Sequence, residues 1–226
     1  MFMFMKSSMC KISRVDDEHH HHHHHHKVED KKKENTSSSC KSLTVWRKSL
    51  LFSCQGFTVI GSDGNLAYRV ESYIKHPNEI ILMDGSGKPI LTICRHKKLV
   101  GLSESWFIYE GEPKHSSSST LSSSNKPLCH VRKHHNILLQ NNLNILAYIY
   151  LGVSDKRHTY IIEGSYSNRS CKILDEKRRV VAEIKKKQDI TKGVSYGSEV
   201  FVLIVSPGFD CGLAMAIILL LDQMFS

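Results

Sequence analysis

The stretch EVFVLIVSPGFDCGLAMAIILLLDQMFS, Glu199 to Ser226, decides the fold. Its first eight residues, Glu199–Ser206, are rich in β-branched and aromatic side chains and read as a buried strand. Pro207-Gly208 breaks that strand, and Asp210 is placed to cap a helix that begins just after it. From Cys211 onward the chain is apolar on every side, so a helix here must be buried all round. A bilayer would meet that demand, but the uninterrupted apolar run Cys211–Leu221 has only 11 residues, and a span needs about 20. A helix from Asp210 to Phe225 would be about 24 Å long. That length suits the axis of a barrel, so a core helix is expected and no transmembrane span.

The material for such a barrel lies upstream. FTVIGSDGNLAYRV places Asp63-Gly64 between two apolar runs, a strong hairpin signal. EIILMDGSGKPILTICRHK repeats the design around Asp84-Gly85-Ser86-Gly87. CKILDEKRRVVAEIKKK repeats it again, with Asp175 opening the turn and one residue fewer expected in it. Three such hairpins, spread over both halves of the chain, predict a mainly β domain whose meandering antiparallel sheet closes into a barrel and so hides its edges. In VVAEIKKK, alternation puts Val180, Ala182 and Ile184 on one face and Glu183, Lys185 and Lys187 on the other. The basic ends Arg95–Lys98 and Lys185–Lys187 occupy equivalent repeat positions and are expected near the same rim.

The domain is expected to run from residue 41 to 226. Residues 1–40 have no sustained apolar period. They hold eight consecutive histidines, His19–His26, and a charged run, a composition that cannot offset the entropy of ordering. A second low-complexity stretch, His115–Pro127, reads as a flexible Ser-rich loop. The chain carries a formal charge of +9, of which the tail supplies only +1. A basic surface favours anionic partners such as nucleic acid, lipid headgroups or acidic proteins. The seven cysteines form no CxxC pair, and the start of the chain does not read as a signal peptide. Free thiols in a reducing compartment are expected, which leaves the glycosylation-like matches at Asn35 and Asn168 without meaning.

Several motifs fail on their surroundings. GVSYG satisfies the nucleophile-elbow pattern at Ser195, but the residues after it read as a strand where the elbow requires a helix. GSGK, Gly85–Lys88, lacks the upstream glycine of a phosphate loop and reads as a turn. Cys129, His130, His134 and His135 offer metal-ligand chemistry, with His130 and His134 on one face of a helix. No second ligand cluster of matching spacing exists, so a basic strand or loop is the better reading. Cys94 and Cys211 sit in apolar runs as small core residues. No paired carboxylates suggest acid–base work, and no cofactor or catalytic residue is expected.

Leu43–Tyr73 and Glu79–Leu99 resemble the two opening signatures of the plant LURP-one-related proteins. Trp106 falls where that family has a tryptophan after its third strand group. VSPGFDCGLAMAIILLLD, Val205–Asp222, is similar to the family's closing signature. The resemblance spans about Ser42 to Asp222 and is weak from Glu112 to Asn144. It implies the fold of tubby C-terminal domains and phospholipid scramblases, an antiparallel barrel of about twelve strands around a hydrophobic C-terminal helix. It also implies a relation to membrane-tethered transcription regulators and a part in plant defence. Tubby domains bind phosphoinositides through basic side chains, but no local motif carries those residues over. Scramblases carry an acidic calcium-binding segment beside their last helix. SPGFDCG has one acid, Asp210, whereas Ca²⁺ needs about six to eight oxygen ligands. Asp210 is therefore read as a cap.

The remaining candidates are basic: Arg95, Lys97 and Lys98; Lys177, Arg178 and Arg179; Lys185, Lys186 and Lys187. Lysine and arginine near an anionic surface contribute about 1 kcal/mol each. The expected function is a non-enzymatic, monomeric module that binds anionic lipid headgroups, phosphoinositides in particular, and is peripheral at the plasma membrane or shared between cytoplasm and nucleus. The alternative is a protein- or nucleic-acid-interaction module that uses the same basic surface.

Overall fold

The structure, a computed structural model, describes residues 40–51, 55–71, 78–96, 105–112, 126–134, 144–152, 157–189, 194–195 and 197–225. The His-rich tail, Lys97, Lys98, His135 and nearly all of the Ser-rich stretch 115–127 lie outside them.

Each of the three expected hairpins forms. Strands β2 (Gly56–Ile60) and β3 (Leu66–Glu71) meet around Asp63-Gly64, β4 (Glu79–Asp84) and β5 (Pro89–His96) around Gly85–Lys88, and β10 (Ser170–Asp175) and β11 (Val180–Lys186) around Glu176–Arg179. The turns are built by their leading aspartates. Asp84 Oδ1 accepts from the Ser86 and Lys88 amides at 3.0 and 2.9 Å, and Asp175 Oδ1 accepts from Lys177 and Arg179 at 2.9 and 2.8 Å. The Ser86 hydroxyl, donating to Asp84 Oδ1 at 2.6 Å, and then the Lys88 amide hold the Asp84 carboxyl below the usual carboxylate range, and the Arg179 amide chiefly does so for Asp175. The two turns have the same length, so the expected one-residue difference is corrected. Where Gly87 adopts φ +94°, Arg178 takes φ +63°, a strained conformation for a residue with a Cβ.

The other strands are β1 (Lys41–Trp46), β6 (Ser105–Glu110), β7 (Cys129–Lys133), β8 (Ile145–Leu151), β9 (Tyr160–Ser165) and β14 (Val200–Val205). A short ribbon, β12 (Gln188–Asp189) with β13 (Val194–Ser195), stands apart. Twelve strands close a ring in the order β1-β14-β11-β10-β9-β8-β7-β6-β5-β4-β3-β2, every neighbour antiparallel. All twelve send side chains into one core, among them Val45, Val59, Ile93, Ile108, Ile149, Ile162 and Leu203.

Helix α1 (Cys211–Phe225) fills that ring. Residues Ala214 to Leu221 are at most 1% exposed, on every side of the helix. Asp210 caps its start, with Oδ1 accepting from the Leu213 amide at 2.7 Å. Because neighbours alternate in direction, the chain enters the barrel at the rim of the Asp-led turns. The last turn of α1 reaches the opposite rim, called the exit rim below, where β1, β5, β7 and β11 end. Ala182 and Ile184 face the core and Lys185 is exposed, as expected, but Val180 is corrected: it is 39% exposed, because the register shifts between its partner Leu174 and Ile173.

Replacing a helix residue with a charge tests this enclosure. Ala216 is fully buried, and an unpaired carboxylate there costs several kcal/mol, much of the roughly 5–15 kcal/mol stability of a domain. Ala216→Asp is expected to abolish the cooperative thermal transition in circular dichroism; a native-like melt would place the helix outside the barrel.

Candidate binding rim

The last turn of an α-helix presents carbonyl groups and the negative end of its dipole. α1 has no basic residue of its own there, so the strands supply the compensation. Lys133 Nζ, at the end of β7, donates to the Met224 carbonyl at 2.7 Å and lies 4.4 Å from the Phe225 ring centroid. Asp222 adds a buried carboxylate to this already negative end. Arg47 pairs with it at 3.0 Å and with Glu199 at 3.7 Å. The Tyr166 hydroxyl donates to the same Asp222 oxygen, Oδ1, at 3.0 Å, while Arg47 Nη2 reaches Oδ2 at 3.4 Å. Burial first, then the Asp222 charge, pushes the Tyr166 phenol up, with Arg169 pulling the other way. Arg169, only 4% exposed, lies over the rings of Tyr166 and Phe201 and donates Nε to the Ser198 carbonyl at 2.8 Å.

The segment after β1 is fixed to this plug. The Arg47 amide donates to the Glu199 carbonyl, the Thr58 hydroxyl to the Lys48 carbonyl, and the Leu51 amide to Ser49 Oγ. Gly56 permits the close approach, since a Cβ there would strike the Val70 carbonyl and crowd Ser49. The outcome is a tip that exposes Trp46, Leu50 and Leu51 at 44%, 53% and 41%, with the Lys48 ammonium 5.3 Å from the Trp46 ring centroid. Lys186 aligns with Phe201 and Phe201 with Val45. The end of β11 therefore lies two strand spacings, about 10 Å, from the end of β1. Lys187 Nζ bonds Thr44 Oγ1 at 3.1 Å and Lys185 pairs with Glu183 at 2.9 Å. Lys48 and Lys186 are exposed and have no carboxylate partner among the described residues.

Beside the tip is a cavity of about 350 Å³ between α1 and the wall formed by β1 to β4. Phe57, Val70, Ile80 and Leu219 line its floor. Its mouth carries Arg47, Lys48, Gln55, Glu199, Asp222 and Gln223.

Those basic residues singled out in the sequence that the structure describes do not form one patch. β5 and β11 run in the same direction, so Arg95 and Lys185–Lys187 do share the exit rim. However, the strands stand six apart in a ring of twelve, on opposite walls. Arg95 is also half-buried over the Trp106 ring, at 5.4 Å. Lys177, Arg178 and Arg179 lie at the other rim. Arg178 grips Glu163 with two bonds of 2.6 and 3.1 Å, and Arg179 Nη2 meets Asp175 at 2.7 Å. Trp46, Lys48, Leu50 and Leu51 were not among the sequence candidates; the run WRKSLL was the available signal.

The weaker motifs fall on strands and turns. Cys129 points into the core while His130, one residue on, stacks against Tyr150 on the outer wall at 4.6 Å. Those two side chains cannot share an ion, and among the described residues no group of three potential ligands forms. GSGK is a hairpin turn, and Ser195 lies in the short ribbon, followed by a turn and β14. All five described cysteines are free thiols. No helix among the described residues is long and apolar enough to cross a membrane.

Fold and rim together define a helix-threaded antiparallel β-barrel with an apolar-floored cavity and a mixed apolar and basic tip at one end. The same fold occurs in an Arabidopsis thaliana protein solved by X-ray methods, with a TM-score of 0.55 at 21% identity over 82% of this chain and 91% of that one. The family model described as LURP-one-related matches residues 41–222. Protein LURP-one-related 17 of Arabidopsis thaliana is 50% identical over 194 residues, covering 83% of this chain and 85% of the relative. Protein LURP-one-related 8 is 44% identical over 186 residues, covering 81% and 86%. The chain belongs to the LURP-one-related family.

Alkaline titration reads the core of this barrel. Burial pushes the Cys129 and Cys171 thiols up to about 12 from an ordinary 9.0. The folded state holds them neutral, so their contribution is complete below pH 9 and is lost as pH rises toward 12. The thermal midpoint is expected to fall steadily above pH 9, with a shallower fall for Cys129→Ala; a flat profile up to pH 11 would contradict the burial.

Proposed function

We propose that this chain is a non-enzymatic module that docks on anionic membrane surfaces and binds phosphoinositide headgroups there. The observation that carries the reading is the exit-rim tip. Trp46, Leu50 and Leu51 stand exposed beside Lys48, with the Lys185–Lys187 run two strands away. Tryptophan favours the membrane–water interface, and exposed leucines gain by leaving water for the acyl boundary. Each lysine near an anionic surface adds about 1 kcal/mol, within the reach of screening by salt. The net charge of +9 supports the same sign of partner. A place of action at the plasma membrane, in plant defence signalling, follows from the family resemblance and belongs to this proposal.

Co-sedimentation of the full chain tests it, using phosphatidylcholine vesicles alone and with added phosphatidylserine or phosphoinositide, at low and high salt. Binding is expected only to the anionic vesicles and is expected to weaken with salt. Charge reversal at Lys185, Lys186 and Lys187 should cost about 3 kcal/mol or more, over a hundred-fold in affinity. Leu50→Asp with Leu51→Asp should remove binding while leaving the thermal midpoint unchanged. Undiminished binding by both variants would overturn the reading. Salt-sensitive DNA binding without dependence on lipid would support the nucleic-acid alternative.

A further inference from the structure

The cavity at the exit rim has a floor and a mouth of opposite character. Phe57, Val70 and Leu219 on the floor are at most 6% exposed, and Ile80 closes it from β4. Such a floor binds hydrocarbon. At about 350 Å³ the cavity sits near the lower end of the roughly 300–1,000 Å³ range of small-molecule sites, room for one chain and not for the two of a phospholipid.

The mouth selects the head. Arg47 is held between the Asp222 and Glu199 carboxylates. An anionic head would meet those two carboxylates, and a cationic head would meet Arg47 and Lys48. The charges cancel across the opening, and Gln55 and Gln223 offer amide donors and acceptors beside it. We propose that this cavity binds a single-chained amphiphile with an uncharged, hydrogen-bonding head, of the monoacylglycerol class, its chain against Phe57, Val70, Ile80 and Leu219. The site shares Lys48 with the membrane-docking tip but does not include Lys185–Lys187, and it stands whether or not those three bind a membrane.

Calorimetric titration of the full chain with monolauroylglycerol, below its aggregation concentration and without vesicles, tests the inference. Saturable one-to-one binding is expected. Homologues of increasing chain length should bind about four-fold more tightly per added methylene, up to the length at which the cavity is full. Laurate, with an anionic head on the same length of chain, should bind at least ten-fold more weakly. Ile80→Trp fills the floor and Gln223→Trp plugs the mouth from an exposed position; each should lose at least ten-fold. Charge reversal at Lys185–Lys187 should leave affinity unchanged, which separates this result from the membrane reading. Absence of saturable binding, affinity independent of chain length, equal binding of laurate, or full affinity in a folded Gln223→Trp would each overturn the proposal. Because Gln223 is exposed, that variant keeps the test decisive even if Ile80→Trp does not fold.

Discussion

Helix α1 has no polar side to offer water. Enclosing it demands a continuous apolar wall, and the twelve strands supply one by turning every second side chain inward. The dependence is mutual. A ring of twelve strands is too wide for its own inward residues to fill, so Ala214–Leu221 take the place that side chains alone fill in smaller barrels. The small residues Gly212, Ala214 and Ala216 alternate with Met215, Ile217, Ile218 and Leu219, which reach farther to the wall. The hairpins settle the geometry of that wall. The helix settles whether it has an interior.

The cost of this arrangement collects at the exit rim. Buried helix termini need partners for their carbonyls, and Asp222 adds a charge of the unfavourable sign. Arg47, Lys133, Tyr166 and Arg169 converge on that end because the helix itself carries no cation there. This network closes one side of the barrel mouth and leaves the other side as the cavity. The candidate site and the structural plug therefore share Arg47 and Asp222, and a ligand in the cavity would touch the same groups that hold the helix in place.

Local chemistry was legible in the sequence, and distant pairing was not. Asp63, Asp84 and Asp175 each announce a turn through bonds to residues two to four positions on, so the hairpins could be read directly. The capping of α1 by Asp210 is equally local. Closure of the ring rests on β1 pairing with β14, and no short pattern in Lys41–Trp46 or Val200–Val205 encodes that match; the strand number came from the family resemblance. The site was less legible still. Arg47 meets Asp222 across 175 positions, and the separation of Lys177–Arg179 from Lys185–Lys187 follows only from knowing that β11 spans the barrel between them. Equivalent repeat positions gave the shared rim of Arg95 and Lys185 correctly. They could not give the opposite walls, because a repeat fixes direction and not position around the ring.

In chain order, all twelve barrel strands precede the helix that fills them. During synthesis on a ribosome, the hairpins emerge with their inward faces complete and nothing to cover them. Each nascent β-unit is then a sheet with a wet apolar side, open to association with other chains. β1 must also wait for β14 before the ring can shut, so the pairing that closes the barrel is among the most distant in sequence, a topology that folds slowly. The arrival of one short helix converts an open, sticky sheet into a closed one. The cell's protection of this protein from aggregation is therefore needed most in the interval between the appearance of Phe57 and that of Leu221.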